Sequence, residues 1–326
     1  MSNFRTALSI GSTPEKIKLD HAIFTIGSCF ADNLGRLLLN HKFNVSVNPF
    51  GTSYNPLSIH KLLSYAIHNR MPDEDTYGVL NDTHFNFDFH SSFSTLSRNL
   101  LEKNIQKIIY QSHQAIRTCS VLMITYGTAW VYHRNENEML VSNCHKVKSS
   151  EFTKHLLTQK KVLDSFETLH KDLLALNPDI RIILTISPVR HLKDTLELNA
   201  VSKAVLRLSC HTIASQAHHV DYFPAFELMM DDLRDYRFYD SDLIHPSEEA
   251  IDYLWGKFCD RYFDEDTRQF VEEWSNISKS LHHKPFLPES EGHQQFLRQL
   301  LKRLEELKKK VNVDKEISLL ERQLIH

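Results

Sequence analysis

Glycine is scarce in this 326-residue chain: eight residues, too few for a Gly-rich β-sandwich, so each marks a backbone position worth locating. Cysteine is scarce too. Its five residues, Cys29, Cys119, Cys144, Cys210 and Cys259, are odd in number, widely scattered and without a CxxC pair. That argues against a disulfide framework or a structural zinc site, and for reduced thiols in a cytoplasmic setting. Neither charge sign dominates, with 38 Lys and Arg against 41 Asp and Glu, so no overall field recruits nucleic acid or an anionic membrane. No apolar window reaches membrane-spanning length, and Met1 to Asp20 shows neither the apolar region nor the cleavage pattern of a signal peptide. Histidine is plentiful at twenty, but the pairs His218-His219 and His282-His283 lack helical ligand spacing and read as surface. No metal and no cofactor is expected.

What is present is an ordinary globular composition, 41% apolar and 24% charged, with ample material for a core. Short apolar runs of strand length alternate with helical periods. Ala22 to Ile26 is the first run and breaks at Gly27, after which Leu34, Leu37 and Leu38 follow a helical spacing. Phe43 to Val47, Ser120 to Tyr126, Arg181 to Ile186 and His219 to Phe223 read as further strands. Helices are expected from Pro56, over Leu96 to Thr118, over Phe152 to Leu176, over Leu198 to Ala217, and from Pro246 as first helical residue to Cys259. Phe85, Phe87, Phe89 and Phe93 alternate with polar residues, as in a half-buried strand or a loop roofing a site. Strand-helix alternation of this kind predicts a doubly wound parallel sheet. The segment Gln294 to Leu324 differs: Leu297, Leu300, Leu301, Leu304, Leu307 and Val311 make one apolar stripe on a charged helix, with a break near Asn312. Such a stripe either packs on its own domain or mediates self-association.

Ligands of open α/β sheets bind at the carboxyl ends of the strands. Three strands here end in small or polar loops, at Gly27-Ser28-Cys29, Gly51-Thr52-Ser53 and Gly127-Thr128, and a late Asp242-x-x-His245 precedes the last helix of the body. A thiol in a first helical turn tends toward thiolate because the helix N-terminus favours negative charge. A nucleophile on the first loop, oxyanion donors on the next two, and a late Asp/His base would together make an acyl-transfer site. Arg190 and His191, just past a strand end, are placed to bind a carboxylate, a phosphate or a leaving group. Arg237 is expected to pair with Glu227 for structure.

The run Gly27-Ser28-Cys29-Phe30-Ala31 resembles the block that names the bacterial GSCFA family. Asn48-Pro49-Phe50-Gly51-Thr52-Ser53-Tyr54-Asn55-Pro56, Ser187-Pro188-Val189-Arg190 and Asp235-Tyr236-Arg237-Phe238-Tyr239, followed by Asp242 to Ser247, resemble its other blocks, over roughly residues 4 to 262. The family is grouped by fold with SGNH/GDSL-type hydrolases, whose first block reads Gly-Asp-Ser with Ser as nucleophile. The resemblance places Cys29 at the nucleophile and Ser28 one position before it, Gly51 at an oxyanion N–H, His245 at the general base and Asp242 at its orienting carboxylate. Gly127-Thr128-Ala129 departs from the third block, Gly-x-Asn, so the oxyanion Asn is missing at Ala129 and Asn55 or Thr128 would have to replace it. Losing one such donor is worth about 2.7–4 kcal/mol of transition-state stabilisation.

The resemblance implies a three-layer, flavodoxin-like parallel sheet of SGNH type over residues 1–288. A helical insertion is expected at about 56–118 and an amphipathic helix over 289–326. It implies an acyl-ester hydrolase or acyltransferase acting on a small-molecule or saccharide ester such as an O-acetyl group, with Cys29 or Ser28 as nucleophile. No nucleic acid or membrane partner is expected, and a homodimer would form through the C-terminal helix. The reading from a different class is a non-catalytic ligand-binding protein on the same scaffold, which the missing Asn favours.

Overall fold

The computed structural model describes residues 6–283 and 285–325. Strand β1 (Ala22–Gly27) runs into helix α1 (Cys29–Asn40), and β2 (Asn44–Val47) follows. Pro56, at the start of α2 (Pro56–Ile67), suits a helix opening because its missing N–H has no intrahelical partner there. Strands β3 (Tyr77–Leu80) and β4 (Thr83–Asn86) form an antiparallel hairpin before α3 (Arg98–Thr118). The segment 56–118 thus consists of two helices with a short hairpin between them. Phe85 and Phe87 lie buried on and just past the hairpin and Phe89 joins the main core, so the alternating phenylalanines serve packing.

Strand β5 (Val121–Tyr126) is followed by β6 (Trp130–Arg134), β7 (Leu140–Val141) and β8 (Phe152–Leu156), the last three pairing as a small antiparallel sheet. The helix expected from Phe152 begins instead at Gln159. Residues 152–156 are drawn into pairing with β6, and Thr158 caps α4 (Gln159–Leu176) through the Lys161 N–H. Then come β9 (Arg181–Ile186), α5 (Thr195–Gln216), β10 (Val220–Phe223) and the one-turn α6 (Ala225–Glu227), which continues into a π-helical turn over Leu228–Asp232. Helices α7 (Glu248–Tyr262), α8 (Glu265–Leu281), α9 (Glu291–Leu307) and α10 (Asp314–Glu321) complete the described chain. Pro246 is not the first residue of α7: Ser247 takes the cap position, accepting the Ala250 N–H, and Pro246 bridges to Tyr239 outside the helix.

Five strands make the main sheet in the order β10-β9-β5-β1-β2, every pair parallel. Renumbered among themselves they read 2-1-3-4-5, the flavodoxin-like order, whose switch point lies between β1 and β5. Alternate residues of the strands face opposite layers. Phe24, Ile26, Leu122, Ile124, Ile182 and Leu184 pack with α2, α3, α4 and α5, whereas Ile23, Val121, Met123 and Ile183 pack with α1 and α7. That period of two, buried on both sides, is why these strands read as unbroken apolar runs.

The C-terminal stripe faces inward. Leu297, Leu300, Leu304 and Leu307 of α9 are buried in one cluster with Trp274 and Ile277 of α8 and Leu34 and Leu38 of α1. Each such side chain contributes about 1.5–3 kcal/mol when fully buried, so the stripe packs on its own domain. No helix among the described residues is long and apolar enough to cross a membrane.

Candidate active site

The turn after β1 is held by its neighbours on both sides. Gly27 has φ +136°, and a Cβ there would collide with the backbone of Thr125 on β5, whose carbonyl carbon and nitrogen stand 2.9 Å away. The Gly27 N–H donates to Asn48 Oδ1 at 3.0 Å and Asn48 Nδ2 returns a bond to the Gly27 carbonyl at 3.2 Å. The Ser53 N–H donates to the same carbonyl at 2.9 Å, and the Ser28 N–H donates to Thr125 O at 3.1 Å. These bonds explain the Asn48-to-Pro56 block: its role is to pin the end of β1. Ser28 is thereby turned inward, 1% exposed, where its Oγ accepts the Phe30 N–H and caps α1. Cys29, one residue on and about 100° round the helix, is half-buried and faces a cleft.

That cleft, about 400 Å³, is lined by Cys29, Asn55, Thr128, Arg190, His191 and His245, with Tyr54 and Trp130 among the walls. Asp242 belongs to it through His245. Gly51 does not: its φ of +74° and its N–H bond to Asn48 O at 2.8 Å make it a turn residue packed against His90, and it lines a separate surface hollow. The Gly127 and Thr128 N–H groups both donate to Tyr54 O, at 2.7 and 3.0 Å, so neither is free for an oxyanion. Thr128 Oγ1 is engaged by Ser202 Oγ at 3.0 Å and by the Trp130 N–H at 3.1 Å.

The amide of Asn55 is oriented by Ser58, whose N–H donates to Oδ1 at 2.9 Å and whose Oγ accepts from Nδ2 at 2.9 Å. One Nδ2 hydrogen remains. The Cys29 N–H, in the first turn of α1, has no intrahelical acceptor. Of the two residues proposed to replace the missing Asn, Asn55 is therefore the one with a donor to spare.

Ala129 lies fully buried in the core, its N–H bonded to Ser202 Oγ at 2.7 Å. An Asn there would meet apolar side chains, not the cleft. Ala129→Asn is accordingly expected to destabilise by about 1–3 kcal/mol, the cost of an unpaired buried polar group, without raising ester turnover. Thermal melts and initial rates on p-nitrophenyl acetate check this; a stable variant with faster turnover would show that residue 129 reaches the cleft.

The loop carrying Asp242 and His245 is fastened from two directions. Asp242 Oδ2 accepts from His245 Nδ1 at 2.6 Å, and Oδ1 accepts the N–H groups of His245 at 3.0 Å and Ile244 at 2.8 Å. These bonds, that from the imidazole first, hold the Asp242 carboxyl down at about 2. His245 Nε2 is left open. Arg190 lies over the Tyr239 ring at 4.1 Å and donates to the Leu243 carbonyl, so its guanidinium ties this loop to the end of β9. Leu243 takes a left-handed φ of +58° at the tie point.

Two sequence expectations are reversed by burial. Desolvation and the Asp32 carboxylate push the Cys29 thiol up, and the amides of Cys29 and Phe30 with the Lys203 ammonium pull it only partly back. His191 is pushed down to about 4, by burial first and then by Lys203. At neutral pH it carries no charge for a carboxylate or phosphate. Its ring packs edge-on to Tyr54 at 5.7 Å and its N–H donates to Asn199. Arg237 pairs with Asp235 on the surface, not with Glu227, which is taken by Arg207 and Tyr222.

Sequence reasoning missed Tyr54, whose carbonyl fixes the Gly127 loop, and Lys203 on α5, which donates to Gly127 O at 2.8 Å and Ser187 O at 2.7 Å. A signal was there for Lys203: it falls in the buried helical spacing of Asn199, Leu206 and Cys210, where a lysine is out of place. Lys154, also missed, pairs with Asp194 on the cleft wall and sits 4.6 Å over the Trp130 ring.

Fold and cleft together define a flavodoxin-like α/β domain with a thiol and an Asp-held imidazole sharing the carboxyl edge of its sheet. The chain belongs to the GSCFA family, whose model matches residues 22–258; the model for the C-terminal domain of GSCFA domain proteins matches residues 274–326. A search of curated proteins gives no match. Among solved structures it is similar to a Streptococcus pneumonia protein provisionally assigned as a platelet activating factor, at 12% identity and a TM-score of 0.38, over 73% of this chain and 84% of that one. It is also similar to a carbohydrate esterase family 3 protein from Talaromyces cellulolyticus, at 6% identity and a TM-score of 0.35, over 78% of this chain and 99% of that one.

Proposed function

We propose that the protein cleaves acyl esters through a thioester on Cys29. The observation that carries this reading is that Cys29 and His245 line one cleft, with His245 Nδ1 held by Asp242 and Nε2 open. His245 takes the thiol proton as Cys29 Sγ attacks the acyl carbon. The oxyanion that forms accepts hydrogen bonds from the Cys29 N–H and Asn55 Nδ2. When the C–O bond breaks, His245 returns the proton to the leaving alkoxide. Water, or an acceptor hydroxyl in a transferase, then gives its proton to His245, attacks the thioester and releases the thiol. The largely apolar cleft walls suit a short acyl group, and the substrates we favour are O-acetyl groups on a saccharide or a small metabolite, in a reducing, cytoplasmic setting that keeps the thiol free.

A second reading, a binding protein without turnover, is favoured by the upward shift of the Cys29 thiol. Short-chain p-nitrophenyl esters and acetyl-coenzyme A, assayed side by side with intact-mass detection of acylated Cys29, separate the two. Turnover that falls about 10²–10⁴-fold in His245→Ala, the usual worth of a general base, supports the esterase. Absence of both turnover and acylated Cys29 would leave the binding protein.

A further inference from the structure

Lys203 is 2% exposed, and a buried ammonium needs compensation for the water it has lost. Buried lysines ordinarily find it in a carboxylate. Among the described residues no carboxylate acts on Lys203; its Nζ donates to two neutral carbonyls, Gly127 O just after β5 and Ser187 O just after β9. Among the described residues the Nζ makes these two hydrogen bonds, which leaves its third hydrogen over. Both carbonyls belong to the carboxyl edge of the sheet, beside the β1 end from which Cys29 projects. Among the described residues the acidic group whose field acts on Lys203 is the Cys29 thiol.

We propose that Lys203 is the positioning residue that balances Cys29, an ammonium anchored to the ends of β5 and β9 so that the cleft thiol can exist as thiolate. The proposal rests on Cys29 being the reactive group of the cleft. Other charges surround the pair. Asp32 on α1 opposes the thiolate. His191, on the loop after β9, feels Lys203, Asp194, His245 and Lys154 and stays neutral. Lys203 is thus a buried cation acting on Cys29. Burial brings Lys203 down to about 7 and a thiolate at Cys29 opposes that fall, so ionising either group favours the charged form of the other. Lys203 leaves proton transfer during the acyl step to His245; its part is to keep a charge opposite the sulfur.

Linkage makes this testable without any substrate. In the full-length protein, the alkylation rate of Cys29 by iodoacetamide, followed by peptide mass spectrometry across pH, reports its thiolate fraction. In Lys203→Met the midpoint is expected to rise by at least one unit, slowing alkylation at neutral pH by about tenfold or more. Reciprocally, in Cys29→Ser the titration of Lys203, read from its ¹³Cε resonance in ¹³C-lysine-labelled protein, is expected to move down. Superimposable alkylation profiles in a folded Lys203→Met variant, or an unchanged Lys203 titration in Cys29→Ser, would overturn the proposal and leave Lys203 a strut between strand ends. If Lys203→Met does not fold, the Cys29→Ser arm decides alone. Coupling without ester turnover would refute the esterase and keep the pair, and turnover without coupling would do the reverse.

Discussion

Gly27→Ala should leave little folded protein, with a loss on the order of 4 kcal/mol or more, the range reserved for clashes and strain the structure cannot relax. Two costs combine at this position. The φ of +136° is one that L side chains rarely adopt, and the new Cβ would press into the Thr125 carbonyl on the adjacent strand. Neither neighbour can retreat, because the Ser28 N–H is bonded to that same carbonyl and Ser53 and Asn48 are bonded to Gly27. Urea unfolding monitored by far-UV circular dichroism is the measurement. Gly11→Ala, where an added Cβ meets nothing within 4 Å, is the control. A Gly27→Ala variant as stable as that control would mean the β1 and β5 ends are free to part.

Cys29→Ala should lower ester turnover by about 10³-fold or more, since only binding and oxyanion contacts survive loss of a covalent nucleophile. Iodoacetamide should inhibit the unmodified protein, and bound substrate should protect it. Because burial raises the thiol pKa, the thiolate fraction, and with it the alkylation rate, should climb as pH rises through and beyond neutrality. Ser28→Ala should behave differently. Its hydroxyl is inside, bonded to the Phe30 N–H, so its loss removes a cap worth about 1 kcal/mol and leaves turnover largely intact. Initial rates and thermal melts on both variants decide between them. An active Cys29→Ala beside a dead Ser28→Ala would hand the nucleophile to Ser28.

Much of this architecture could be read from local pattern. The β-branched runs at Ala22 to Ile26, Val121 to Tyr126 and Arg181 to Ile186 are buried on both faces, and their short length between turn residues marks them as strands. The break at Gly27 and the helical spacing after it are both formed, as a turn and α1. The helix misread at Phe152 shows where local pattern fails: residues 152–156 take their conformation from pairing with β6, which lies far from them in sequence register. Pro246 stands two positions before the first residue of α7, because Ser247 takes the cap and its hydroxyl can accept an N–H whereas proline has none to offer.

By itself the sequence determined the alternation of strands and helices, the Gly27 turn, and the nearness of Asp242 to His245, because each depends on residues within a few positions of one another. Tertiary structure alone decided which amides of the cleft are free. The Gly127 and Thr128 N–H groups are spent on Tyr54, Gly51 is turned away, and Asn55 retains a donor. It also decided the charge state of the site: burial raises Cys29 and lowers His191 and Lys203 against their ordinary values. Hydrogen-bond competition and desolvation depend on which distant segments the sheet edge gathers, and no spacing along one chain encodes that gathering directly.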